Sequence, residues 1–218
     1  MERAKLYLLH ISDRPGIAID SAAAAPPLSP SELQSIAAAL GRPMPGALVE
    51  FYRTGAGAVS HRYSFEYDPD DENQTALHQG LFPHQTSVYG GAQIGSAWDI
   101  TEYVADCSEW ARMFREEGWE EQADLWSSSL PFKRIDNGDY IALSTDGGND
   151  PPILYLSHDD ESQRIAESFS GFLSTWERLA YIGPESWMLE PFQSPDGLLT
   201  ADSVRAKQLR GYLAVEPG

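Results

Sequence analysis

Leu130-Pro-Phe-Lys-Arg-Ile-Asp-Asn-Gly-Asp-Tyr-Ile-Ala-Leu143 is the stretch that decides the fold. Two apolar runs, Phe132–Ile135 and Tyr140–Leu143, flank Asp136-Asn137-Gly138-Asp139. Asn-Gly between apolar runs is a strong hairpin signal, because both residues tolerate the positive φ that tight turns need. Ile153–Leu156 follows as a short continuous apolar run, the pattern of a strand buried on both faces. Ser168 then caps a helix whose stripe is Phe169, Phe172, Leu173, Trp176 and Leu179, closed by Gly183-Pro184.

Upstream, Ile100, Tyr103, Val104, Cys107, Trp110, Ala111 and Phe114 recur at helical spacing, which predicts an amphipathic helix over 99–117 ending at Gly118. A shorter helical turn carries Trp119, Leu125 and Trp126. Ser29-Pro30-Ser31-Glu32 is a capping box with proline at the first helical position, and Leu33, Ile36, Ala37 and Leu40 continue it to Gly41. A second short helix is expected over 46–54. Strands are expected at 6–11, at 59–67 with Tyr63, Phe65 and Tyr67 on one face, and at 87–94, broken by Gly90-Gly91. The stretch 21–27 reads as an Ala/Pro-rich connector, 68–84 as a long polar loop, and 200–213 as a last helix. No regular strand–helix–strand alternation occurs. The expected fold is α+β, a single domain with a mainly antiparallel sheet packed against several helices. Its expected limits are 29–190, preceded by an N-terminal strand and connector (1–28) and followed by a helical C-terminal extension (191–218).

The 218 residues carry 33 acids and 15 Lys or Arg, a formal charge of −18. Such a chain is repelled by phosphate backbones and anionic membranes, so neither nucleic acid nor membrane is expected as a partner. A basic protein partner fits better. The competing reading is that the charge only keeps the protein in solution. The acids are concentrated: residues 66–72 carry −5, 99–124 carry −7 and 136–167 carry −7. The lone cysteine, Cys107, sits in a helical stripe and reads as a core residue rather than a nucleophile. No apolar run reaches the ~18 residues of a membrane span, and the apolar stretch near the N-terminus is too short for a secretion signal. The expected location is the cytoplasm.

Chemistry-bearing motifs are sparse. Gly55-Ala56-Gly57 lacks the third glycine of a dinucleotide fingerprint, because position 60 is Ser60. No P-loop, HExxH motif or GxSxG elbow occurs. His158-Asp159-Asp160-Glu161 is the cluster that suits a divalent ion, but neighbours in sequence rarely all face one ion, and a solvated acidic loop is the simpler reading. His78 and His84 fall in the polar loop, and Asp139 reads as a residue bonding its own turn. No cofactor, metal or catalytic residue is assigned, and no enzymatic activity is expected. The acidic segments, Asp68, Asp70, Asp71 and Glu72 with Asp159, Asp160 and Glu161, are the candidate partner-binding residues.

Several of these pieces, in their order along the chain, resemble the SUKH superfamily, named for a yeast cell-wall synthesis regulator and its bacterial relatives. Pro45 through Leu48, Phe51 and Tyr52 to Gly55 resembles its P-x-x-L-x-x-F-Y-x-x-G motif. The hairpin with Gly138, Asp139 and Tyr140 resembles its central hairpin, and Pro151–Glu161 its next strand and loop. Ser168-Phe169 through Phe172-Leu173 and Trp176 resembles its S-F-x-x-F-L-x-x-W helix. One departure is Ser144, where family members often carry an acid, so no carboxylate role is carried over to that position. The resemblance implies an α+β interaction domain without enzymatic activity. In bacteria it implies an immunity protein that binds and neutralises a toxin, often a basic nuclease. The alternative is a cytoplasmic regulatory or scaffold module of the cell-wall-regulator kind.

Overall fold

In the computed structural model, residues 11, 16–66, 70, 72–83, 87–146 and 148–213 are described. They fold as α+β, with two four-stranded antiparallel sheets where the sequence reading expected one. The chain divides into two compact units that interleave along the sequence. One takes Ala24–Val59 and Ile94–Phe172; the other takes Met1–Ala23, Ser60–Gln93 and Leu173–Gly218.

The 24–59/94–172 unit holds the hairpin. Strands β5 (Leu130–Arg134), β6 (Tyr140–Leu143), β7 (Ile153–Leu156) and β8 (Gln163–Ala166) form an antiparallel meander in that order. Every residue of β6 and β7 is buried, as their unbroken apolar runs require. Opposed pairs Tyr140–Leu156 and Ala142–Leu154 share one face. That face packs on Cys107, Ala111, Phe114, Ala123 and Trp126. These side chains come from the long helix Asp99–Glu116 and its successor Glu120–Ser128.

On β5, Phe132 meets Phe169 and Phe172 edge-on at 5.3 and 6.1 Å. Helix α1 (Pro30–Leu40) starts at the expected capping box, with Glu32 N donating to Ser29 Oγ and Ser29 N to the Glu32 carboxylate, and ends on left-handed Gly41. Helix α2 (Gly46–Glu50) opens into a π-turn over Phe51–Gly55, closed by Ala56 N donating to Phe51 O at 3.3 Å. Leu48 and Tyr52 are fully buried, Tyr52 donates its hydroxyl to Gly95 O, and the Phe51 ring packs edge-on against Phe169.

In the other unit, β1 (Ile17–Ala25) pairs with β2 (Ala58–Glu66), which also pairs with β3 (Ser87–Gly90) and β4 (Gln93–Ile94). Alternating Val59, His61, Tyr63 and Phe65 face inward on β2. Three expectations differ from the structure. The stretch read as a connector is strand through Ala25, because a β2 edge accepts even an Ala-rich partner. The stretch read as loop contains helix α3 (Glu72–Leu81), which buries His78 and Leu81; few apolar residues mark it in sequence. His78 is thus a helical core residue, packed beside Phe65 and Phe82, rather than a loop histidine. Residues 6–10, Tyr67, Asp68, Asp71 and His84 lie outside the described residues.

Continuing the chain, helices α4 (Asp99–Glu116) and α5 (Glu120–Ser128) are those packed on the meander, and α6 spans Phe169–Arg178. Gly171 N donates to Ser168 Oγ at 3.0 Å, the expected cap. Trp176 is fully buried and donates Nε1–H to Ile182 O at 2.8 Å; Leu173 is partly buried. Past α6, Ala180 and Tyr181 hold left-handed φ values of 61° and 55°. The Tyr63 hydroxyl and Gly91 N–H, donating to the carbonyls of these two residues, support that turn. Helices α7 (Ser186–Leu189) and α8 (Val204–Leu213) follow, α8 burying Ala206, Leu209 and Leu213. Among the described residues no helix is long and apolar enough to cross a membrane.

Candidate functional site

Hairpin β5–β6 turns through three residues. Gly138 N donates to Ile135 O and Ile135 N to Asp139 O, with Gly138 at φ +101°, a value that favours glycine. The turn delivers Asp139 to the end of β6, two residues before Ile141. Ile141 pairs with Tyr155, so Asp139 lies diagonally across from Tyr155.

The Asp139 carboxylate is 2% exposed and accepts four hydrogen bonds. Oδ2 takes Tyr155 OH at 2.7 Å and Asn137 Nδ2 at 2.8 Å. Oδ1 takes His158 N at 3.0 Å and His158 Nδ1 at 2.7 Å. An ionised carboxylate can only accept, so Nδ1–H of His158 is the donor of this contact. Asp139 therefore bonds its turn through the Asn137 side chain, which also accepts from Asp139 N at 3.0 Å, and not, as the sequence reading expected, through the turn's backbone. It also bonds the next loop, which that reading missed.

That loop, 157–162, follows β7. Ser157 Oγ donates to Asp159 Oδ1 and accepts from Asp160 N. Ser157 N donates to Ser162 Oγ. From α5, Gln122 Nε2 reaches Ser157 O and Ser162 Oγ at 2.8 Å and Asp160 O at 3.3 Å, and Trp126 Nε1 reaches Ser162 Oγ. A short acidic segment is thus pinned to both the hairpin and a helix. Asp159, Asp160 and Glu161 are exposed residues, with Asp159 Oδ1 held by Ser157 Oγ and Asp160 Oδ1 by Glu161 N. No ion pair involves them among the described residues. The acids of α4 differ: Glu109 and Glu116 both hold Arg112, and Asp124 on α5 holds Arg115.

Asp139, His158 and Asp159 bring one potential ligand atom each to within 4.8 Å of the others. Both Asp139 oxygens and His158 Nδ1 are already spent on each other, on Tyr155 and on Asn137. An ion would have to displace buried donors, so the arrangement is a hydrogen-bond hub that shapes a loop. A groove of about 380 Å³ elsewhere in this unit is lined by Arg42, Pro43, Met44, Leu130, Thr145 and Asn149 with their neighbours. Its described lining holds no carboxylate, imidazole or thiol to work as an acid, base or nucleophile.

An aromatic row runs beside the acidic loop. Trp110 sits 5.1 Å from the His158 ring, Phe114 stacks on Trp110 at 5.8 Å, and Trp119 stacks on Phe114 at 5.8 Å and 20°. Trp119 is 52% exposed. In sequence, Trp110 falls in a core stripe and Trp119 on a short helical turn with Leu125 and Trp126, and neither is marked as a surface feature. The signal available was a tryptophan set between a helix-ending glycine and two glutamates, Gly118-Trp119-Glu120-Glu121.

Of the other acidic candidates, Asp70 is exposed and Glu72 is the exposed first residue of α3. They belong to the unit that does not contain Asp159–Glu161, and Asp68 and Asp71 lie outside the described residues. Cys107 is buried; burial, with Asp106 adding to it, pushes its thiol up to about 12. Ser144 caps its own turn, accepting from Asp146 N. No curated protein and no solved structure matches the chain. The model of the SMI1/KNR4 family (SUKH-1) matches residues 27–175, which include the capping box, the π-turn, the hairpin and the acidic loop, and the chain belongs to that family.

Proposed function

We propose that the protein is a non-enzymatic binding module of the cytoplasm that neutralises a basic, nuclease-type toxin domain by covering its charged face. Membership of the SMI1/KNR4 family supports a protein-binding module of the immunity or regulator kind. The observation that carries the finer reading is the loop Asp159–Glu161. Three carboxylates, with no cation paired to them among the described residues, are presented on a segment that Asp139, Gln122 and Trp126 hold in one conformation. Carboxylates so held repel phosphate and attract the basic surface that normally meets it. Asp68, Asp70, Asp71 and Glu72 supply a second acidic segment for the same kind of partner. The folding unit is taken as 29–190.

The test is capture of partners by the tagged full-length protein from its own cells, followed by titration of the captured protein. A basic nuclease whose activity falls to zero at one equivalent supports the reading. Capture of cell-wall enzymes or their regulators, with no effect on any nuclease, overturns it in favour of the regulatory module.

A further inference from the structure

We infer that the aromatic row ending in Trp119 is the anchor of the binding surface, and that it takes arginine side chains of a basic protein partner. This rests on the basic-partner reading above and adds which residues make the contact and which cation they select.

Trp119 caps the start of α5, with one ring face against Phe114 and more than half of its surface in water. One turn along α5, Gln122 bonds the backbone of the acidic loop at Ser157 and Asp160. The exposed indole and the loop carboxylates, which no cation pairs among the described residues, therefore border the same short helix. At the loop end, Trp110 lies against His158, whose ring is fixed by Asp139. Each ring in the row is backed by another, so the surface is ordered before a partner arrives, which lowers the entropy cost of binding.

Charge complementarity names the occupant. The two cations of α4, the helix that carries Trp110 and Phe114, are already engaged: Arg112 by Glu109 and Glu116, and Arg115 by Asp124 and Glu120. Asp159, Asp160 and Glu161 have none among the described residues. A surface that combines an aromatic face with exposed carboxylates lacking a paired cation suits a guanidinium. This group is planar and weakly hydrated, stacks on an indole and forks two N–H groups onto a carboxylate. A lysine ammonium meets the charge equally but gains less from the ring. Tryptophan and arginine also dominate the centres of protein interfaces, where few residues carry most of the affinity.

The test uses fluorescently labelled nona-arginine and nona-lysine as probes, titrated by anisotropy at low salt against the full-length protein. Wild type binds nona-arginine about three- to tenfold more tightly than nona-lysine. Trp119→Ala removes that preference and leaves nona-lysine binding within about twofold. Trp119→Leu, which keeps an apolar side chain without the π face, behaves the same and stands in if the alanine variant fails to fold. The triple variant Asp159→Asn, Asp160→Asn, Glu161→Gln weakens both probes by about tenfold. Equal affinity of wild type for the two probes, or an arginine preference that survives both Trp119 variants, overturns the anchor while leaving the basic-partner reading in place. Failure of either probe to bind, or binding that the triple variant does not change, removes the basic-partner reading at this loop and the anchor with it.

Discussion

Removing the Asp139 carboxylate should do two separable things: destabilise the fold and release the acidic loop. Asp139→Ala strips an acceptor from four donors: Tyr155 OH, Asn137 Nδ2, His158 N and His158 Nδ1. Tyr155 is buried, at 1% exposure. A buried donor left unsatisfied costs ~1–3 kcal/mol. Asn137 is exposed and His158 partly so, and their donors recover some of the loss from solvent. The expected total is about 3–5 kcal/mol for alanine.

Asparagine is nearly isosteric and gives a different result. Its oxygen can face the two His158 donors while its amide faces Tyr155, whose hydroxyl can turn to accept. The Asn137 contact is then lost and the charge-assisted bonds become neutral, at about 1–2 kcal/mol. Urea unfolding measures the ranking, wild type above Asn above Ala. Hydrogen exchange at the His158 and Asp160 amides measures release of the loop. An Asp139→Ala protein within about 1 kcal/mol of wild type, or unchanged protection at those amides, would refute the hub.

Trp176→Ala should cost about 3–5 kcal/mol, because it empties a fully buried site and orphans the Ile182 carbonyl; an unchanged melting temperature contradicts this. Cys107 should resist alkylation in the native protein at pH 8 and react on unfolding. Its raised thiol also makes native stability fall between the ordinary thiol range near 9 and about 12, since the unfolded chain loses this proton first. Over that window wild type should lose up to ~1.4 kcal/mol per pH unit more than Cys107→Ala, and parallel pH curves would count against it. Chelators should leave the melting temperature unchanged, because the Asp139 oxygens are filled by protein donors; a fall on chelation, restored by a divalent ion, would revive a metal at His158.

The meander and its helices were legible in sequence because each local signal agreed with the packing. Asn137-Gly138 marked the turn, Ser29/Glu32 and Ser168 marked helix starts, and the Ile100–Phe114 stripe marked the buried face of α4. The misses share a cause. Strand β1 ends in the alanine run Ala22–Ala25, with no alternation of burial beyond its first residues, and α3 has few apolar positions, so partners rather than propensity hold them. β8, Gln163–Ala166, is mostly polar and exists as the last edge of the meander. The acidic loop was visible as charge. What fixes it was not: Asp139 and His158 are 19 residues apart, and Gln122 lies 35 residues before Ser157, so no short pattern joins them. Trp119 was equally silent, because exposure of a single aromatic leaves no periodic trace.

The most direct test of the central claim is the association rate of the captured basic partner, followed by stopped-flow fluorescence across a range of salt. Wild type is compared with the triple variant Asp159→Asn, Asp160→Asn, Glu161→Gln. Exposed carboxylates on a pinned loop should act first by steering, so the variant should associate about tenfold or more slowly at low salt. The gap should close as the Debye length shrinks to about 3 Å near 1 M salt. Equal association rates for the two proteins at low salt would contradict the account and leave this loop as an ordinary solvated surface.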